Sequence, residues 1–264
     1  MKRTALITGA SSGIGEAFAE VFAAEGFDLV ITARIEERLR SVASRLEQKY
    51  GAKVHVIVDD LTDPAAPGRI CGAIAARGIA IDALVNNAGY GVTGVYAATE
   101  WPAHADFLQI MVVAVAELTR RLVPGMIERG YGRIINVASL AGLVPAPAGH
   151  TLYAASKAFL IKFSESLGHE VRKHGVHVSA VCPGFTLSRF HDLTGTRQTV
   201  SRLPRFLWMD APAVAREGYA AVMADKPIHV TGAVNRTIAT LVRYLPHRLI
   251  VWIARRTARA YRKT

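Results

Sequence analysis

The sequence has 264 residues, of which 51% are hydrophobic and 20% charged, a composition that suits one large folded domain and excludes a disordered chain. No apolar run is long enough to span a membrane, and Gly9 interrupts the apolar start too early for a signal peptide. The two cysteines, Cys71 and Cys182, do not suggest a disulfide framework, so we expect a reducing, cytoplasmic setting.

The net charge of +11 is concentrated at the C-terminal end. All 21 acidic residues lie at or before Asp225, whereas nine of the 32 Lys and Arg residues follow it. The first 225 residues therefore carry a net charge of +2 and the remainder +9. Because the body is nearly neutral, we expect no nucleic-acid partner.

Short apolar runs alternate with helical patterns along most of the chain. The predicted strands occupy residues 4–8, 27–32, 53–58, 81–85, 132–137 and 176–181. The predicted helices occupy residues 16–25, 36–50, 65–78, 104–129 and 152–173. This alternation predicts an α/β fold, a Rossmann-type doubly wound parallel sheet in a single domain with helices on both faces.

A glycine-rich turn separates the first predicted strand from the first helix. It contains Gly9, Ser11, Ser12, Gly13, Ile14 and Gly15. Backbone N–H groups at a helix N-terminus bind phosphate, and glycines let a pyrophosphate approach closely. We therefore predict a dinucleotide site here, the alternative being a plain glycine-rich turn.

Arg34 follows the second predicted strand, where an acidic residue would bind the free 2′-hydroxyl of NAD. The first acid after this strand is Glu36. A guanidinium binds a phosphate through two hydrogen bonds, so Arg34 predicts NADP(H) as the cofactor. The alternative is a solvated surface arginine.

Tyr153 and Lys157 are four residues apart on a predicted helix and so would lie on one face. A nearby ammonium lowers the pKa of a phenol, which makes it a usable general acid or base. The alternative is an incidental pair. The strand ends, which the fold gathers at one edge, carry Arg34, Asp60, Asn87, Ser139 and the pair Pro183-Gly184. This convergence favours the chemical interpretation.

These motifs together resemble the short-chain dehydrogenase/reductase family, over about residues 3–190. The matching residues are Thr8, Gly9, Gly13 and Gly15, then Asn86 to Gly89, Ser139, Tyr153 with Lys157, and Pro183-Gly184. The resemblance implies an NADP-dependent carbonyl reductase that transfers a hydride between nicotinamide and a carbonyl or secondary alcohol. No metal ligand is implied.

The resemblance also implies roles for individual residues. Ser139, Tyr153 and Lys157 would be catalytic, and Lys157 would also bind the nicotinamide ribose. Contacts to the adenine and ribose would come from Asp60, Leu61, Asn87, Ala88 and Gly89. Contacts at the nicotinamide end would come from Pro183, Gly184 and Thr186.

The sequence departs from the family pattern in two places. Many members have an asparagine that holds a water of a proton relay in the fourth helix, where this chain has Met111. The 14-residue separation of Ser139 and Tyr153 is one longer than usual, with the surplus in the loop 142–152. A catalytically weak NADP-binding protein with a regulatory or structural role is therefore the alternative function. A sugar-nucleotide epimerase shares the Tyr/Lys pair but has different glycine spacing and a longer chain.

The residues after Thr186 are expected to form a substrate lid, about residues 186–212. Phe190 and the aromatic stretch from Phe206 to Met209 favour an apolar substrate, unless these side chains only pack the lid onto the body. His150 is interpreted as a loop histidine and Cys182 as a core residue.

The C-terminal segment is predicted to form two short helices, residues 237–244 and 246–261. We expect the domain to span residues 1–245 and a basic amphipathic segment to span 246–264. Its apolar face is expected to dock on the body or on a partner subunit of a homo-oligomer, and peripheral contact with an anionic membrane is the alternative.

Overall fold

The computed structural model describes residues 2–92, 95–146, 149, 151–187 and 204–245. Seven parallel strands form its main sheet in the order β3-β2-β1-β4-β5-β6-β9. They are β1 (Thr4–Thr8), β2 (Asp28–Ala33), β3 (Val54–Val58), β4 (Ala83–Asn86), β5 (Gly132–Val137), β6 (Val176–Cys182) and β9 (Ile228–Val230). The predicted Rossmann-type doubly wound sheet is confirmed.

Eight α-helices connect and flank the described strands. They are α1 (Gly13–Ala24), α2 (Glu36–Tyr50), α3 (Ala66–Ala75), α4 (Trp101–Leu108), α5 (Ala114–Glu128), α6 (Thr151–Val171), α7 (Ala211–Met223) and α8 (Ala233–Tyr244). The first, second and seventh cover one face of the sheet, and the third, fifth and sixth cover the other.

The apolar strands explain why the sheet lies in the core. All five residues of β1 are buried, because helices cover both of its faces. Phe18 and Phe22 of α1 fill one side, and Phe107 of α4 fills the other. This arrangement leaves the carboxyl ends of the central strands as the open edge of the sheet, where a ligand would bind.

The long predicted helix 104–129 is divided in the structure. It begins earlier, at Trp101, and a π-helical turn at Gln109–Val113 separates α4 from α5. A π turn inserts one extra residue and is invisible to a 3.6-residue periodicity. Met111 lies within this turn.

The sequence pattern missed two elements of the main fold, α7 and β9. With three residues, β9 is too short for a periodic signal, and its place is fixed by hydrogen bonding to β6. A signal for α7 was present, since Asp210 caps the helix by accepting a hydrogen bond from Ala213 N at 2.6 Å.

A second, two-stranded parallel sheet stands beside the main one. It pairs β7 (Phe185–Leu187) with β8 (Trp208–Asp210), which a short 3₁₀ turn at Arg205–Leu207 precedes. These elements belong to the predicted lid. Phe190, His150 and the predicted helix 246–261 lie outside the described residues. Among the described helices, none is long and apolar enough to cross a bilayer.

Candidate active site

The glycine-rich turn makes a tight bend at the end of β1. Gly9 has a φ of 66°, a conformation that suits glycine, and its N–H donates to Thr32 O at 2.8 Å. A Cβ on Gly15 would collide with the Gly9 carbonyl and the Asn87 amide. The side chain of Ser12, the residue before α1, makes no capping hydrogen bond, so the first N–H groups of α1 remain available to an anion.

The remaining turn residues anchor this bend against the core. Ser11, Ser12 and Gly13 are half-buried, and Ile14 packs against the core under α1. The turn is thus anchored on its inner side while its backbone faces the open edge of the sheet.

Thr8 and Asn87 join the ends of β1 and β4. The Thr8 hydroxyl accepts from Asn87 N at 2.9 Å and from Ala88 N at 3.0 Å. The Asn87 amide in turn donates to Thr8 O at 2.9 Å and Gly9 O at 3.3 Å. Asn87 therefore holds the glycine turn in place, a positioning role that the sequence did not reveal.

Arg34 and Asp60 lie together at the ends of β2 and β3. Arg34 Nη1 is 3.7 Å from Asp60 Oδ2, and the two side chains are 62% and 42% exposed. Such an exposed pair contributes little stability, so Arg34 remains available to another anion. Leu61 is buried beside them.

Ser139 lies two residues after the end of β5 and contacts the turn that follows β6. Its hydroxyl accepts from Ala141 N at 3.1 Å and donates to Pro183 O at 3.4 Å. It also shares a hydrogen bond with Tyr153. The structure therefore brings Ser139 and Tyr153 together despite the 14 residues that separate them.

Tyr153 and Lys157 lie side by side on α6, as their spacing predicted. Lys157 Nζ is 5.7 Å from the centre of the Tyr153 ring. The same ammonium donates to Val137 O at 2.7 Å, and the residue is 7% exposed. This bond to the last residue of β5 fixes the lysine head at the edge of the sheet.

The protonation of this pair differs from the sequence prediction. Burial raises the pKa of the Tyr153 hydroxyl, and its hydrogen bond with Ser139 acts in the opposite direction. Burial lowers the pKa of the Lys157 ammonium to about 8. The predicted lowering of the Tyr153 pKa is therefore not what this arrangement produces, because the effect of burial exceeds that of the hydrogen bond with Ser139.

A buried polar network holds α6 against the sheet. The Asn86 amide donates to Asn136 Oδ1 at 2.8 Å and to Thr119 Oγ1 at 3.2 Å. The Asn136 amide donates to Ser164 Oγ at 2.8 Å on α6. Because buried side chains that hydrogen-bond to one another favour one arrangement, this network positions the helix that carries Tyr153 and Lys157.

The nicotinamide end of the predicted site is formed by the turn after β6. Leu140 N donates to Pro183 O at 2.9 Å, and Thr186, which is buried, donates to Gly184 O at 3.2 Å. A Cβ on Gly184 would collide with the Asn235 side chain at the start of α8. Asn235 is thus a supporting residue that sequence reasoning missed.

Met111 and Cys182 lie in the core below the site. Met111 is 2% exposed, and its sulfur fills the space in front of Gly89. Cys182 is fully buried, as predicted, and burial raises the pKa of its thiol to about 12. Neither side chain is placed to orient a solvent molecule or to act as a nucleophile.

The residues at this edge fit a nicotinamide dinucleotide. The uncapped start of α1 suits a pyrophosphate, and Gly15 lets this helix start pack closely against the Gly9 carbonyl and the Asn87 amide. The exposed Arg34 lies where an adenosine 2′-phosphate would reach. At the other end, Lys157, Ser139 and Tyr153 converge where a nicotinamide would lie.

The chain is similar in sequence to known proteins. A family model described as short chain dehydrogenase matches residues 3–198. A very-long-chain 3-oxoacyl-CoA reductase from Laccaria bicolor is 35% identical over 76% of this chain and 59% of its own length. The chain thus spans about three fifths of that curated relative. Nodulation protein G from Rhizobium sp. is 33% identical over 87% of this chain and 96% of its own.

The fold also matches solved structures. A short-chain dehydrogenase from Sphingobium yanoikuyae in complex with NADPH superposes with a TM-score of 0.78 and 30% identity. The superposition covers 92% of this chain and 96% of that one.

Proposed function

The chain belongs to the short-chain dehydrogenase family, and on that premise we propose that it is an NADP(H)-dependent reductase of carbonyl groups in apolar substrates. The observation that carries the proposal is the convergence of Ser139, Tyr153 and Lys157 at the edge that holds the glycine turn. A carbonyl oxygen beside Tyr153 would meet two hydroxyl donors at once.

The glycine turn and the N-terminus of α1 would hold the pyrophosphate, and Arg34 the 2′-phosphate. Asp60 and Leu61 would border the adenine, and Asn87, Ala88 and Gly89 the ribose. The NADPH in the matching Sphingobium yanoikuyae structure supports this cofactor. When bound, NADPH supplies the hydride to the carbonyl carbon.

The chain's own residues would manage the proton. Tyr153 would transfer its hydroxyl proton to the carbonyl oxygen, while Ser139 donates a hydrogen bond to that oxygen. The Lys157 ammonium, 5.7 Å from the ring centre, would stabilise the phenolate that remains. The positive charge of Lys157 would thus act on the Tyr153 phenolate, after the proton has left.

Burial raises the pKa of the Tyr153 hydroxyl, so this hydroxyl is protonated at neutral pH and can supply the proton that reduction requires. Because the raised pKa also makes the hydroxyl a weaker acid, the nearby Lys157 ammonium would be needed to stabilise the phenolate as the proton leaves.

An apolar substrate is supported by the elements beside the site. Phe185 and Trp208 place their rings 5.6 Å apart across the β7–β8 pair. Leu187 and Phe206 are 56% and 68% exposed, which leaves apolar surface for a ligand. The very-long-chain 3-oxoacyl-CoA reductases make a long 3-oxoacyl thioester the first candidate to test.

The test is NADPH oxidation with 3-oxoacyl thioesters of increasing chain length and with small polar ketones. We expect kcat/KM to rise with chain length, because each added methylene buries apolar area. Tight NADPH binding without turnover of any ketone would instead support the catalytically weak NADP-binding protein.

A further inference from the structure

Helix α8 exposes a stripe of apolar side chains. Val234, Ile238, Leu241 and Leu245 follow one another by three or four residues and so lie on one face. Leu241 is 52% exposed, and Tyr244 at the end of the helix is 76% exposed. The one buried residue of the helix is Asn235, so α8 turns most of its surface away from the core.

This stripe lies within the cationic part of the chain. Arg243 is exposed on α8, as is Arg236, which pairs with Glu217 at 3.1 Å, and the sequence from Lys226 to the end holds nine cations and no acid. The sequence that follows the helix, residues 246–264, contributes six of these cations and the apolar run LIVWIA at 249–254. Apolar and cationic residues are thus combined in one continuous stretch.

The stripe starts beside the candidate active site. Asn235 lies against Gly184, donates to Thr231 O at 2.8 Å and contacts Met209 Sδ at 3.6 Å. Met209 in turn pairs with Thr186 across the β7–β8 sheet. The exposed Leu187 and Phe206 belong to the same neighbourhood, because β7 adjoins β8 and the turn that contains Phe206 contacts α8.

We propose that α8 and the basic sequence after it dock on an anionic phospholipid surface, with the substrate side of the site toward the bilayer. Stable binding to a membrane surface needs two signals, and this stretch has both an apolar stripe and a cluster of cations.

Charge favours a membrane over a second copy of the chain on this face. A two-fold interface places the same patch of both subunits together. Two stretches that each carry +9 would then repel each other, whereas anionic headgroups would neutralise them.

Sedimentation of the full-length protein with lipid vesicles tests the proposal. One set contains phosphatidylcholine alone and the other equal parts of phosphatidylcholine and phosphatidylglycerol. We expect binding to the anionic set only, with release at high salt. A full-length variant with glutamine at Arg248, Arg255, Arg256, Arg259, Arg262 and Lys263 should bind at least about a hundredfold more weakly. Leu241→Ser should bind about fivefold more weakly.

Matched controls use exposed residues elsewhere on the molecule. Val58→Ser and Arg120→Gln should bind vesicles like the wild type, and NADPH affinity should show that every variant is folded. Absence of vesicle binding, with an oligomer in gel filtration that Leu241→Ser dissociates, would assign the face to a second copy and overturn the proposal. If the glutamine variant loses vesicle binding but Leu241→Ser binds like the wild type, the proposal is also overturned. Attraction between cations and anionic lipids would then explain the binding without the apolar stripe.

Discussion

The proposed cofactor side and the proposed substrate side of this molecule are built differently. At the cofactor side, strands of four to six residues pair in register, and Thr8 and Asn87 join the strand ends by reciprocal hydrogen bonds. At the substrate side, β7 and β8 have three residues each, and Leu187 and Phe206 are exposed. If these proposed roles hold, substrates can differ on the lightly built side while the chemistry on the paired strands is kept.

Lys157 lies where the two sides meet, and its titration is expected to have the largest effect on stability. Its pKa of about 8 in the folded chain is below the unfolded value of 10.5, so the unfolded state holds more protons between these values. Without cofactor, Lys157 should therefore make the free energy of unfolding rise with pH across this window, by up to about 3 kcal/mol. Denaturant unfolding of the wild type and Lys157→Met at pH 8 and pH 10 measures the difference. An identical pH dependence in both proteins would contradict the buried ammonium.

Arg34→Asp should weaken NADPH binding without changing the substrate side. Loss of the guanidinium and the new carboxylate beside Asp60 should weaken NADPH binding about thirtyfold, or about 2 kcal/mol, and move preference toward NADH. Titration calorimetry with both nucleotides measures the change. Arg38→Asp, with the same change of charge on α2, is the matched control. Wild-type preference for NADH would show that Arg34 does not read the phosphate.

Met111→Asn tests the departure from the family pattern. Because Met111 is buried in an apolar cluster, an amide there should lower the free energy of unfolding by about 1–3 kcal/mol. Turnover of the folded enzyme should stay unchanged or rise. Met126→Asn, in the same cluster but near Gly132, should cost similar stability. A collapse of turnover with the fold intact would mean that Met111 lines the substrate pocket.

Phe206→Ala should have the smallest effect and should weaken only the binding of the substrate. With 68% of the residue exposed, removal of the ring should raise KM for an apolar ketone about threefold and leave NADPH affinity unchanged. Steady-state kinetics with saturating NADPH measures this, with Val58→Ala as the control. A change in NADPH affinity would show that the two sides are not separable.

The same contrast explains what could be predicted from sequence. The strand ends, the glycine turn and the pair Tyr153 and Lys157 were predictable because periodicity and fixed spacing encode them. The network through Asn86, Asn136 and Ser164 was not, since its partners are 28 to 50 residues apart and follow no period.

Other features depend on tertiary context. The strand β9 exists because β6 offers it hydrogen bonds. Whether the pKa of Tyr153 is raised or lowered depends on how deeply the residue is buried. The spacing of Tyr153 and Lys157 in the sequence does not show this depth.

The proposed reaction depends on one hydroxyl group, that of Tyr153. Tyr153→Phe keeps the ring and removes the proton donor, so we expect the rate of hydride transfer to fall about a thousandfold while the Kd of NADPH stays within about twofold. Single-turnover kinetics and nucleotide titration on the same preparation, with Tyr244→Phe as the control, give both values. A near wild-type rate in Tyr153→Phe would contradict the account.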